Sequence, residues 1–421
     1  MTHAAGSRIT FWPRRPGPAG EVPRRTPGHD GRALEIDAVR GWAALSVVLF
    51  HVFWETFGAT VPWLRSPYTA WLMAGHFDVI VFFILSGDAL SFPFFHGGGT
   101  AYLQRAALKR YLRLTVPILV VTAVTALAMA ARLTPTGAAS EIVDRTDWLG
   151  SFAGFNAAGS SALRYATFYV YVGGYRANYL PFLWTMPVEL GGSYVLLFSL
   201  FVLPRIRGGA WLVAGLAYLL VAQDSYVGCF LIGLLLGKAR AEGLFRRWPR
   251  PVGRYLAPLG IVGSLAFVGH RQAVDDQSLR GLAGAGAALL FCIYSSGDLV
   301  GLLSASRVSQ FLGRISFLLY LWHFPVLITL TSGLIVRSAG ADGLLAPASA
   351  IAIGVLTVAV SVGLAHWTMA IEGWARRAND LMMRWCWRAD DPGRPADGAR
   401  DGPAVTRAGA EEGGPVMAPA D

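Results

Sequence analysis

Lysine is almost missing from this chain: only Lys109 and Lys238 occur, so nearly all positive charge is arginine. Cysteine is as scarce, and Cys229, Cys292 and Cys386 are too scattered for a disulfide framework or a metal-ligand spacing. No G-x-S-x-G segment is present, which leaves a serine-nucleophile hydrolase of that kind without support. Gly97-Gly98-Gly99 lacks the Lys and Ser/Thr that would complete a phosphate loop, and reads as a turn. No repeat of the roughly 20–50-residue kind is present, which excludes solenoids. Charged residues make up only 15% of the chain, while 54% are hydrophobic and 14 are Trp. That balance points to a polytopic membrane protein. Basic residues exceed acidic ones, 36 to 26, but they cluster between apolar runs. This is the pattern of membrane topology rather than of a nucleic-acid surface, so no nucleic-acid partner is expected.

Ten apolar segments approach the length a bilayer requires, at 36–57, 70–95, 111–131, 182–203, 209–222, 226–238, 255–270, 281–297, 312–336 and 346–371. The fold class expected is all-α, a polytopic transmembrane helical bundle of about ten spans. The fifth and sixth segments are short, which leaves a re-entrant pair open. Arginines recur in alternate connections: Arg105, Arg110 and Arg113, then Arg205 and Arg207, then Arg240, Arg246 and Arg250, then Arg307 and Arg314. The N-terminal arm with Arg14, Arg15, Arg24, Arg25 and Arg32, and the C-terminal side with Arg376, Arg377, Arg384 and Arg388, follow the same rule. Both termini are therefore expected in the cytoplasm. Residues 1–33 read as a disordered basic arm and 389–421 as a disordered tail, with the membrane domain spanning 34–378. No cleavable signal is expected, and the first apolar span should remain as a helix. Residues 132–181 form the one long outside loop, placed to cap a cavity.

The first span carries Arg40 and His51, eleven positions apart. On a helix they lie about 20° apart in azimuth and roughly 16 Å apart along the axis. Arg40 at one membrane face thus sets His51 near the midplane on the same stripe. An ionisable group there is costly, so its presence points to function; a snorkelling Arg above a satisfied buried His is the plainer alternative. The second span holds Asp78 and Asp88 around Ser86-Gly87, and Asp78 wants a partner from another helix. In the fourth, Thr185, Glu189 and Ser193 recur every four residues and share a face. Pro187 nearby frees a carbonyl and opens room. The ninth aligns Ser316, Tyr320 and His323. Two midplane histidines with Glu189 and Asp78 suit one polar cavity lined by His323, Tyr320, Ser86 and Thr185. His270 and Asp275 make an H-x4-D pattern, but in a short outside loop.

Five stretches in order carry a family resemblance. They are Asp37-Ala38-Val39-Arg40-Gly41…His51, Val81-Phe82-Phe83-Ile84-Leu85-Ser86-Gly87, Arg110-Tyr111-Leu112-Arg113-Leu114, Leu183-Trp184-Thr185-Met186-Pro187-Val188-Glu189, and Ile315 through Leu321-Trp322-His323-Phe324-Pro325, with Glu372 beyond. Over roughly 34–375 the chain resembles the acyltransferase-3 family of integral-membrane acyltransferases. The resemblance implies O-acyl transfer from cytoplasmic acyl-CoA, with a short acyl chain expected, to a hydroxyl of an envelope glycan or glycosylated natural product. It implies His51 as the catalytic base, Arg40 as a donor-holding residue, and Arg110 and Arg113 as contacts for coenzyme A phosphates. Glu189 matches the family's carboxylate, and Glu189 or Asp78 is expected to orient the imidazole. No metal is implied, membrane lipid is a partner, and a bacterial plasma membrane is the expected location. The chain departs from the pattern at Asp88, where the family has an apolar residue. The rival reading from the residues alone is a proton-coupled transporter built on the same histidines and carboxylates.

Overall fold

The computed structural model describes residues 33–174, 176–247 and 252–386. The arm expected over 1–33, apart from Ala33, and the tail expected over 389–421 lie outside the described residues. No strand occurs among the described residues, as an all-helical reading requires. A helix lies in each of the ten apolar segments. These are α1 (Leu34–Leu49), α2 (Gly75–Pro93), α3 (Gly99–Ala130), α4 (Met186–Val202) and α5 (Gly209–Ala222). They continue as α6 (Val227–Ala241), α7 (Ala257–Ala273), α8 (Leu279–Ser295), α9 (Arg307–Val326) and α10 (Pro347–Trp367). An eleventh, α11 (Ala370–Cys386), follows α10. The described residues of the C-terminal unit Asp380–Asp421 are the end of that helix.

Among the described residues, five helical stretches are long and apolar enough to cross a membrane: Leu34–Thr56, Pro67–Ala130, Pro181–Arg205, Arg307–Ser338 and Pro347–Trp385. Leu279–Ser295 and Gly297–Ala305 pass the same test only when taken together, and they are bent by 89° to each other. The stretch Pro67–Ala130 is broken at His96 and Gly97, and Gly97 takes φ 96°, a conformation that costs other residues dearly. The helices satisfy their own backbone, the condition for crossing hydrocarbon.

Buried apolar residues form two clusters, one around α1, α9 and residues 139–186, the other around α2, α6 and α8. The most extensive helix pairings are α2 with α6 and α1 with α9, and glycines close both. A Cβ on Gly233 of α6 would strike the backbone at Ile84 and Asp88, and one on Gly87 would strike the Phe230 carbonyl. Likewise a Cβ on Gly41 would strike the backbone of Leu312 and Gly313, and one on Gly313 the Asp37 carbonyl. Such close approach favours association where lipid removes the hydrophobic drive between helices.

The outside loop expected over 132–181 is a chain of short helical turns. Thr136–Ile142, Leu149–Ser151 and Gly159–Arg164 fold over the bundle and bury Leu149, Tyr179 and Leu180. Its apolar side chains have no regular period because they serve successive short turns.

Gly313→Ala should cost about 1–3 kcal/mol, the range for overpacking, read as a lower thermal midpoint of the detergent-solubilised protein. Gly284→Ala, at a helical position where a Cβ meets nothing within 4 Å, should leave the midpoint unchanged or raise it slightly.

Candidate active site

His51 and His323 meet across α1 and α9, with His51 Nδ1 and His323 Nε2 3.1 Å apart. His323 is fully buried and His51 half-buried. Gly41 and Gly313, which touch, each precede the paired histidine by ten residues. Ten residues rise about 15 Å, so two helices in contact at both levels run parallel and in register.

Both helices change pitch at this level. Phe50–Thr56 is a π-helical turn that contains His51, and Leu327–Thr331 is another just beyond His323 and Pro325. Wide turns of this type recur at functional sites. Proline cannot donate to the ladder, and side chains occupy the carbonyls around the break: Thr329 donates to Pro325 at 2.6 Å and Ser332 to Leu327 at 3.0 Å. In the other turn, Arg65 donates to the Trp54 carbonyl and Arg145 to that of Glu55, each at 2.9 Å.

An aromatic wall holds the His51 ring. Phe182 stacks on it at 3.8 Å between centroids and 5° between planes. Trp148 lies nearly parallel to it at 6.0 Å. Phe182 belongs to the 3-10 turn Pro181–Thr185 that leads into α4. Tyr320 pins that turn by donating to the Phe182 carbonyl, while its hydroxyl lies 3.1 Å from Thr185 Oγ1. Arg145 braces the loop that carries Trp148, binding Glu55 Oε2 at 2.8 Å and lying 5.7 Å from the Trp148 ring centre.

The two carboxylates expected beside His51 are elsewhere engaged. Glu189 pairs with Arg110 and accepts from Ser86 at 2.9 Å, while Arg110 also donates to Ser193 at 2.9 Å. Asp78 contacts Ser46, whose hydroxyl lies 2.8 Å from the Leu72 carbonyl. Neither carboxylate hydrogen-bonds His51; the ring's partner is His323. Asp88 is also claimed: it binds Arg240 at 2.8 Å and accepts from Tyr294 at 2.7 Å, and Arg240 reaches Glu35 at 2.9 Å. That network joins α1, α2, α6 and α8, and it explains why a carboxylate stands after Ser86-Gly87 in this chain.

Of the expected donor contacts, Arg110 is buried in the pair just described, whereas Arg40 and Arg113 are more available. Arg40 lies 3.6 Å from Asp37, longer than a hydrogen bond. Arg113 is exposed and stands in the combined field of Arg110, Arg40, Glu372 and Asp37. Among the described residues no group of three or more His, Cys, Asp or Glu is placed to hold a metal. Sequence reasoning did not single out Phe182, Trp148 or Arg145. The aromatic density of 148–182 was the available signal, but nothing in it says which ring meets His51.

Glu189→Leu should strand the Arg110 charge and cost about 3–5 kcal/mol, visible as a lower thermal midpoint. Asp78→Asn, which keeps a polar group against Ser46, should cost less in the same melt.

Three comparisons bear on this arrangement. A family model described as an acyltransferase domain of the acyltransferase-3 type matches residues 34–366. The O-acetyltransferase PaAT-1 of Phomopsis amygdali is 25% identical over 371 residues, covering 70% of this chain and 72% of that protein. No solved structure matches significantly.

Proposed function

The chain belongs to the acyltransferase-3 family and is an acyltransferase; on that premise we propose that it transfers a short acyl group from acyl-CoA to a hydroxyl, with His51 as general base. The observation that carries this reading is the free edge of His51. Its Nδ1 is engaged by His323 and its ring is fixed by Phe182, while Nε2 has no hydrogen-bond partner among the described residues. A base must be held in orientation and yet keep a lone pair open toward the proton it takes.

The step then runs as follows. His51 Nε2 takes the hydroxyl proton of the acceptor as that oxygen attacks the thioester carbonyl carbon. The carbon–sulfur bond breaks, the electron pair leaves on sulfur, and the thiolate takes the proton back from His51. Products are the ester and the free thiol, and His51 returns neutral. Histidine suits both halves of the step because its ordinary pKa lies near neutrality.

The same helix offers an anchor for the donor. Arg40 lies roughly 16 Å along α1 from His51, and Arg113 shares its electrostatic neighbourhood. Guanidinium groups grip phosphate through charge-assisted, paired hydrogen bonds. With the arginine-rich connections cytoplasmic, the donor enters from the cytoplasm, and both termini lie on that side. The name of the relative favours acetyl as the group moved. A glycan or glycosylated natural product is the acceptor class this reading assigns.

His51→Ala should abolish acyl modification, a loss of at least about a hundredfold if the base contributes as general bases do. The measurement is mass spectrometry of glycans and small molecules from cells with wild-type, deleted or His51→Ala protein. Loss of a compound from the medium without any acyl change would overturn the enzyme reading in favour of export. Arg40→Gln should raise the donor KM by roughly tenfold to a hundredfold, the worth of a charged hydrogen bond, and leave the acceptor KM unchanged.

A further inference from the structure

We propose that His323 is the positioning residue for His51, acting as a neutral hydrogen-bond acceptor that selects the tautomer of His51 with an open Nε2. The inference rests on the reading of His51 as the base, and adds to it a partner that holds no charge.

Two neutral imidazoles with ring nitrogens 3.1 Å apart share one hydrogen, and its direction decides whether His51 can act. If His323 donated from Nε2, His51 Nδ1 would accept and its own hydrogen would sit on Nε2, closing the reactive edge. The far end of His323 favours the opposite arrangement. Nδ1 of His323 is sealed inside the protein, and the polar backbone groups the ring meets are those of Leu319 and Tyr320, one turn back on its own helix. A carbonyl can only accept, so the hydrogen of His323 belongs on Nδ1, leaving Nε2 with its lone pair. On that arrangement His51 donates from Nδ1 to His323 Nε2, and His51 Nε2 is open.

The choice of an imidazole rather than a carboxylate follows from the medium. A carboxylate beside His51 would be a buried charge through the whole resting cycle, and such charges are costly inside a membrane. Neutral His323 offers an acceptor without that cost. When His51 gains the hydroxyl proton, its Nδ1 hydrogen stays on the bond to His323, which strengthens as the donor becomes cationic. The face of Phe182 at 3.8 Å supplies a second, charge-free stabilisation of the imidazolium. No proton needs to pass to His323, and the atom balance of the transfer is unchanged.

The test uses full-length protein in nanodiscs, with acetyl-CoA as donor and the acceptor identified by the mass-spectrometric comparison above. His323→Gln places an amide oxygen close to where Nε2 stands, whereas His323→Leu fills similar space without an acceptor. Expected is a kcat loss of about a hundredfold or more for His323→Leu, of the kind seen when an orienting partner is removed. Both KM values should stay within about threefold, and Gln should restore kcat to within about tenfold of wild type. Full kcat in His323→Leu would overturn the proposal, and so would equal loss in the Leu and Gln variants. If instead His51→Ala keeps its activity, the reading of His51 as base fails, and the positioning role falls with it for that separate reason.

Discussion

The contact between Gly41 and Gly313 sets the geometry on which the site depends. Each glycine stands ten residues before a histidine, and a side chain on either would meet the other helix's backbone. Because α1 and α9 touch there and run parallel, equal travel along both brings His51 and His323 to one level. Hydrocarbon offers no hydrophobic reason for helices to associate, so close backbone approach and polar contacts must supply it. Packing and the register of the two histidines are thus one feature in this protein. A change in the crossing would move two ring nitrogens whose separation of 3.1 Å has little slack.

Charge is handled by a division of labour. Arg110 with Glu189, Arg240 with Asp88 and Glu35, and Arg145 with Glu55 each join elements far apart in the chain. Their value lies less in net stability than in the penalty for breaking them, since a lone buried charge is far worse than a paired one. The groups in direct contact with the His51 ring are other rings. Phe182, Trp148 and His323 surround the imidazole, and Tyr320 and Arg145 hold those neighbours in place. Arg40 and Arg113 are tied less tightly, as groups reserved for a charged ligand would be.

The segment 132–181 changes the picture of the enzyme most. Sequence patterning shows no strong periodicity there and reads it as a cap. Folded, it supplies Trp148 and Arg145 to the site and leads directly into the turn that carries Phe182. Short turns packed on a bundle bury residues at irregular intervals, so the periodicity that betrays long helices is absent from them.

Local chemistry along the chain was enough to determine that this protein is helical and where its apolar segments lie. Helix geometry and the cost of polar groups in hydrocarbon act on neighbouring residues, and neighbours are what a sequence displays. The five ordered motifs also sufficed for the family, which the match over 34–366 bears out. Which group orients His51 was decided only by tertiary structure. Glu189 and Asp78 were sound candidates by residue type, but Arg110 and Ser46 hold them, and the partner is His323, 272 positions away. The physical reason is that a hydrogen bond depends on ångströms and angles between helices, and these are set by how glycines let two backbones meet, not by spacing along either one.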